Sequence, residues 1–83
     1  MVMTMANYYL FQEMMNLAQS SEQITDFTHG EGVAMITMTV KQYEKFYDDL
    51  LRAAIALGLV EDSIVDTKID GVDFKIIKFL TNV

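Results

Sequence analysis

The chain of 83 residues contains no cysteine, no proline and one histidine, His29. The absence of cysteine excludes disulfides, thiolate metal sites and a cysteine nucleophile. One histidine excludes a zinc site built from several histidines, and a catalytic triad would have to use His29. The glycines of the segment HGEG, residues 29–32, match neither common phosphate-binding pattern. We therefore expect no catalytic residues, no metal and no cofactor, and we predict that the protein is not an enzyme.

Basic side chains are few and are absent from the first 40 residues. The chain has 6 Lys and Arg against 12 Asp and Glu, which gives a formal net charge of −6. Direct binding to nucleic acid or to an anionic membrane requires clustered basic residues. We therefore expect neither kind of binding.

The apolar N-terminal segment has neither the basic start nor the cleavage site of a signal peptide. Polar residues interrupt it too often for a membrane span, which needs about 20 nearly unbroken apolar residues. The segment therefore predicts a helix of a cytoplasmic protein.

The content of hydrophobic residues, 52%, is too high for a disordered chain. The length predicts a single domain that spans residues 1–83. A domain this small buries only about 60% of its unfolded surface. Because disulfides and metals are excluded, it must pack very well or form oligomers.

Apolar residues in the N-terminal segment recur at helical spacing. They form two adjacent rows, which makes the apolar arc wider than that of an ordinary surface helix. The helix therefore either lies in the core or also faces a partner, and the first interpretation is favoured. The rows are Tyr8, Phe11, Met15 and Ala18, and Leu10, Met14 and Leu17.

The middle of the chain predicts a connection, a strand and a second helix. Residues 21–32 are polar and are interpreted as a connection, whereas VAMITMTV, residues 33–40, alternates as a strand. Thr39 and Gln42 have the spacing of a capping box, which begins the second helix, and Gly58 ends it.

Asp70 and Gly71 predict a type I′ turn that joins two antiparallel strands. This register places Lys68 opposite Asp73 and Asp66 opposite Lys75, with opposite charges facing each other. The polar stretch is therefore interpreted as a turn and not as a metal loop. An apolar row on one side of the hairpin is predicted to be its buried face. The row comprises Val65, Thr67, Ile69, Val72, Phe74 and Ile76.

These elements predict a two-layer α+β domain in the order α-β-α-β-β. The sheet is expected to have three antiparallel strands in the order 1-3-2, with both helices on one face. In that arrangement the strand 33–40 lies at an edge, and an apolar edge strand tends to pair with another chain. We therefore predict a homodimer. Its predicted interface residues are Val33, Met35, Thr37, Tyr8, Phe11 and Met15.

The function expected is that of a small acidic protein-binding module, an inhibitor or regulator that acts as a homodimer on another protein. A first alternative is an acidic mimic of nucleic acid that inhibits a host nucleic-acid-binding enzyme, of a viral or mobile-element type. A second alternative is a structural subunit of a larger complex. The predicted partner-binding residues are acidic loop residues without basic neighbours, namely Glu22, Asp26, Glu31, Glu61 and Asp62.

Overall fold

The computed structural model describes residues 3–81 and shows an α+β fold. Two helices lie on one face of a four-stranded antiparallel sheet, whose strand order is β1-β2-β4-β3. The elements are α1 (Met5–Ser20), β1 (Asp26–Gly30), β2 (Val33–Thr39), α2 (Val40–Ala56), β3 (Val60–Ile69) and β4 (Val72–Leu80). No helix within residues 3–81 is long and apolar enough to cross a membrane.

The predicted start and end of α2 are confirmed. The Thr39 hydroxyl accepts a hydrogen bond from the backbone N–H of Gln42 at 3.1 Å, and the Gln42 side chain accepts one from the N–H of Thr39 at 2.9 Å. This reciprocal pair satisfies two backbone donors that the first turn of a helix leaves free. The helix ends at Ala56, and Gly58, just beyond the C-cap Leu57, has a φ of +96°, a left-handed conformation that suits glycine.

The predicted hairpin of β3 and β4 is also confirmed. Asp70 and Gly71 have φ angles of 51° and 80°, as a type I′ turn requires. The register places Lys68 opposite Asp73 and Asp66 opposite Lys75. The shortest nitrogen–oxygen distances in these two pairs are 3.8 Å and 2.6 Å.

The predicted three-stranded sheet is wrong because it omits β1. The three strands that were predicted are neighbours in the expected order, but β1 adds a fourth strand beside β2. The turn between β1 and β2 contains Glu31 and Gly32, with φ angles of 50° and 81°. β2 is therefore an inner strand, with β1 on one side and β4 on the other.

The core lies between the helices and one face of the sheet. Phe11 of α1 is fully buried, and its ring makes edge-to-face contacts with Phe27 of β1 and Phe79 of β4. Such aromatic pairs add specificity to the burial of apolar area. The buried apolar residues are Met3, Phe11, Met15, Ala18, Ile24, Ala34, Ile36, Met38, Leu50, Ala54, Leu59, Ile77 and Phe79.

Candidate interaction surface

The apolar row of the hairpin that was predicted to be buried lies on the face of the sheet that neither α1 nor α2 covers. Ile77 and Phe79 of β4 are fully buried under the helices, and side chains alternate between the two faces along a strand. The intervening residues of β4 therefore point away from the helices, and their partners on β3 and β2 point the same way. The prediction of the buried face was wrong because both faces of β4 are apolar. We call the uncovered side the open face.

The open face is mainly apolar. Its apolar residues belong to β2, β3 and β4, with exposed fractions from 39% for Met35 to 53% for Val65 among the more accessible ones. The others are half-buried by their neighbours on the same face. The nine apolar residues are Val33, Met35, Val60, Val65, Ile69, Val72, Phe74, Ile76 and Leu80.

Charge on the open face is sparse and compensated within the chain. Lys78 of β4 points to this side, between Met35 on β2 and Ser63 on β3. Its ammonium lies 3.7 Å from a carboxylate oxygen of Asp62, which occupies the bulge of β3. Asp26, opposite Thr37, lies on the outer strand at the margin of the face. The open face is therefore almost neutral in a chain whose net charge is −6.

The edge of β2, which was predicted to be free for pairing with a second chain, is already occupied. Val33, Met35 and Thr37 pair with β1 on one side and with β4 on the other, so their backbone edge is not free. Their side chains nevertheless belong to the open face.

The three α1 residues predicted at the dimer interface are engaged within the chain. Phe11 and Met15 are buried in the core, with exposed fractions of 0% and 4%, so neither can contact a second chain in this structure. Tyr8 is half-buried, and its hydroxyl hydrogen-bonds to His29 Nδ1 at 2.8 Å. The wide apolar arc of α1 is explained in part by the core, although Tyr9, Leu10 and Leu17 remain exposed.

The five acidic residues predicted to bind a partner do not form one array. Glu61 accepts a hydrogen bond from the Tyr47 hydroxyl, and Asp62 pairs with Lys78. Glu31 lies in the turn between β1 and β2, at the same end of the sheet as the two acids on β3 but two strands away from them. The remaining two, Glu22 and Asp26, are exposed before and at the start of β1, away from that turn.

The polar contacts on the helix-covered face are those of a structural network. Burial raises the pKa of Tyr47 well above its usual value, and the hydrogen bond to Glu61 raises this pKa further. The Tyr47 ring stacks on Tyr43 with centroids 4.5 Å apart, and the Lys75 ammonium lies 4.9 Å from the centroid of Tyr43. A hydrogen bond to Asp66 raises the pKa of Lys75. These contacts connect α2 to β3 and β4.

The described residues have few other chemical features. His29 is exposed on β1, where it stacks on Phe27 and contacts Tyr8. No group of three His, Asp or Glu residues within 3–81 has the geometry to hold a metal ion. A groove between α1 and α2, beside Met14 and Phe46, has a volume of about 140 Å³. Ligand pockets usually measure roughly 300–1,000 Å³, so this groove fits no more than a side chain. Two other depressions reach this range, with about 450 Å³ beside Thr67 and Phe74 and about 360 Å³ beside His29 and Met35, but both are shallow and open to solvent.

Comparisons with protein-family models, with curated proteins and with solved structures find no significant match to this chain. Its candidate surface is therefore defined by physical features alone.

Sequence reasoning missed β1, although DFTHG contains strand-forming Phe27 and Thr28 and precedes a turn with glycine at its second position. It also missed the open face, because alternation shows that a strand has two sides but not which of them the helices cover.

Proposed function

We propose that the protein is a non-enzymatic protein-binding module, an inhibitor or regulator, whose contact surface is the open face of the sheet. The observation that carries this proposal is the nine apolar residues on a face that no helix covers. Each residue on one face of a sheet accounts for about 32 Å² of projected area, so these nine account for roughly 300 Å². The largest exposed apolar patch of a typical monomer measures about 300–600 Å² and is often functional, so the open face lies at the lower end of that range.

The distribution of charge supports a contact that depends on burial of apolar surface. Lys78 is compensated by Asp62, and no other lysine or arginine within residues 3–81 points to the open face. Burial of such a surface needs little desolvation of unpaired charge, which is the usual cost at an interface. The contact should therefore persist in high salt, since screening acts on exposed charges.

An acidic mimic of nucleic acid has less support. Glu61 and Asp62 have partners within the chain, and Asp26 lies at the opposite end of β1 from Glu31. A mimic requires carboxylates that together offer one regular field to a basic cleft. A role as a structural subunit uses the same open face and differs only in whether the partner is a stable neighbour or a regulated target.

Site-specific photocrosslinking in the cells that produce the protein tests this proposal. A benzophenone amino acid replaces Val65, which is on the open face with 53% of its surface exposed. The matched control carries the same group at Arg52, an exposed position on α2. We expect discrete protein adducts from position 65 only, and we expect a second substitution on the open face, Ile76→Lys, to abolish them.

The adducts also separate the alternatives. Adducts that are equal at positions 65 and 52, or absent at position 65, would contradict a contact through the open face. When the crosslinking is repeated in a lysate of these cells, adducts that disappear in high salt would favour the acidic mimic over the apolar contact.

A further inference from the structure

We infer that the occupant of the open face is a second copy of this chain, packed face to face so that the two sheets form a closed sandwich. This inference rests on the proposed function, because it names the protein that covers the same surface when no other partner is bound. The two sheets would lie about 10 Å apart and cross at about 30°, as aligned sheets do. The helices of both copies would then form the outer layers of a four-layer dimer related by a two-fold axis.

The area of the open face is sufficient for such a dimer. The four strands comprise 5, 7, 10 and 9 residues. At about 3.3 Å along the strand and about 4.8 Å between strands, they present a projected face of about 500 Å². Two such faces in contact bury roughly 1,000 Å² before the relief of the side chains is counted. This value reaches the lower limit of about 1,000 Å² for a biological interface.

The charge of the molecule favours a second copy over a charged partner. The chain carries a net charge of −6, but its open face is almost neutral because Lys78 is paired with Asp62. A basic partner would bind to the acidic residues of this chain, and most of these lie outside the open face. A copy of the same face offers an equally neutral and apolar surface, and the excess acids of both copies stay on the outside.

The two edges of the sheet are less suited to self-association than the open face. β1 has only five residues. β3 is longer, but it has a bulge between Glu61 and Ser63, and it carries charged Asp66 and Lys68. Short edges, bulges and charges are the features that prevent edge-to-edge pairing. The structure thus favours packing of faces over extension of one sheet through two chains.

The test is the mass of the purified chain in solution, measured by sedimentation equilibrium from about 1 µM to about 1 mM, the range of weak to moderate affinities. We expect the wild type to reach twice 9.5 kDa within this range. Val65→Lys should weaken the dimer about a hundredfold, since a two-fold contact loses this side chain twice, with roughly tenfold for each loss. The matched control Ile55→Lys, at a position 58% exposed on α2, should leave the dimer unchanged.

A second variant covers the case in which Val65→Lys disturbs folding. Val65→Thr keeps the size and strand preference of the side chain, and it should still weaken the dimer several-fold with an unchanged circular dichroism spectrum. Nuclear Overhauser effects between labelled and unlabelled copies should connect the methyl groups of Val65, Ile69 and Ile76. Intermolecular Overhauser effects that instead involve α1 or the edge of β3 would overturn the inference.

The outcomes distinguish this inference from the proposed function. A wild type that stays monomeric up to about 1 mM overturns the dimer. If position 65 still crosslinks specifically to a different protein in cells, the proposed function stands. Equal weakening by Ile55→Lys and Val65→Lys would also overturn the inference, because the contact would not be confined to the open face.

Discussion

Two neighbouring isoleucines of β4 should differ sharply in what they contribute to stability. Ile77 is fully buried between Ile36 and Ile64 on the helix-covered face, whereas Ile76 is half-buried between Thr37 and Val65 on the open face. The perturbation is the same in both cases, a change of isoleucine to alanine. Only the face differs, so the comparison measures which side of the sheet the helices cover.

The magnitude follows from the burial of each side chain. The change to alanine removes three carbon atoms, each worth roughly 0.8 kcal/mol when fully buried. Ile77→Ala also leaves a cavity under the helices, so its cost should be about 3–4 kcal/mol. Ile76→Ala in the monomer loses about half of the transfer free energy and leaves no closed cavity, so it should cost about 1 kcal/mol.

The assay is urea unfolding followed by far-UV circular dichroism, at the lowest protein concentration that gives a signal. With a urea dependence of about 1 kcal/mol per molar, the two midpoints should differ by about 2 M. A chain of this length has roughly 4–12 kcal/mol of stability, so Ile76→Ala should remain folded without urea, and Ile77→Ala should do so when the wild type has more than about 5 kcal/mol. Equal costs, or a larger cost for Ile76→Ala, would mean that β4 is turned by one residue and would refute the assignment of the open face.

Three further predictions concern local structure. Thr39→Ala should lower the free energy of unfolding by about 1 kcal/mol while Thr39→Ser changes it little, and equal losses in urea unfolding would argue against the cap. Gly58→Ala should lower the free energy of unfolding more than Gly71→Ala. Both glycines have positive φ, which costs alanine roughly 1 kcal/mol, but only at Gly58 would the added Cβ lie 3.1 Å from the Cα of Met3. A smaller loss at Gly58 than at Gly71 would show that this approach is not tight. Tyr47→Phe should reduce the loss of stability above pH 10. Because the pKa of Tyr47 is raised in the folded chain, this tyrosine ionises first in the unfolded chain, and the wild type should lose at most about 1.4 kcal/mol of unfolding free energy per pH unit there. Parallel stability curves for wild type and variant from pH 10 to pH 12 would contradict the raised pKa.

Local elements were predictable from the sequence because local chemistry specifies them. The capping residues Thr39 and Gln42 set the start of α2, and the turn at Asp70 and Gly71 set the register of the hairpin. β1 was not predicted, because five residues with one strongly apolar side chain, Phe27, give no clear alternation. Its stability comes from pairing with β2 and from the contact of Phe27 with the core, which are long-range effects.

The environment of the predicted functional residues was not predictable, because it also depends on long-range contacts. An acidic residue in a loop is visible in the sequence, but its partners are not. Glu61 meets Tyr47 and Asp62 meets Lys78 only after α2 and the two strands have come together. The sequence suggested that Val33, Met35 and Thr37 lie on a free edge. They are available for contact only through their side chains on the open face.

The sequence by itself determined the two helices, the hairpin with its register, the acidic charge and the need of a small domain without disulfides to use its apolar surface well. Only the tertiary structure decided which side of the sheet the helices cover and that β1 closes the edge of β2. The physical reason is that β4 is apolar on both faces, so its alternation is compatible with helices on either side. The choice is made by the packing of residues such as Phe11 and Phe79, which are distant in the sequence and leave the other face open.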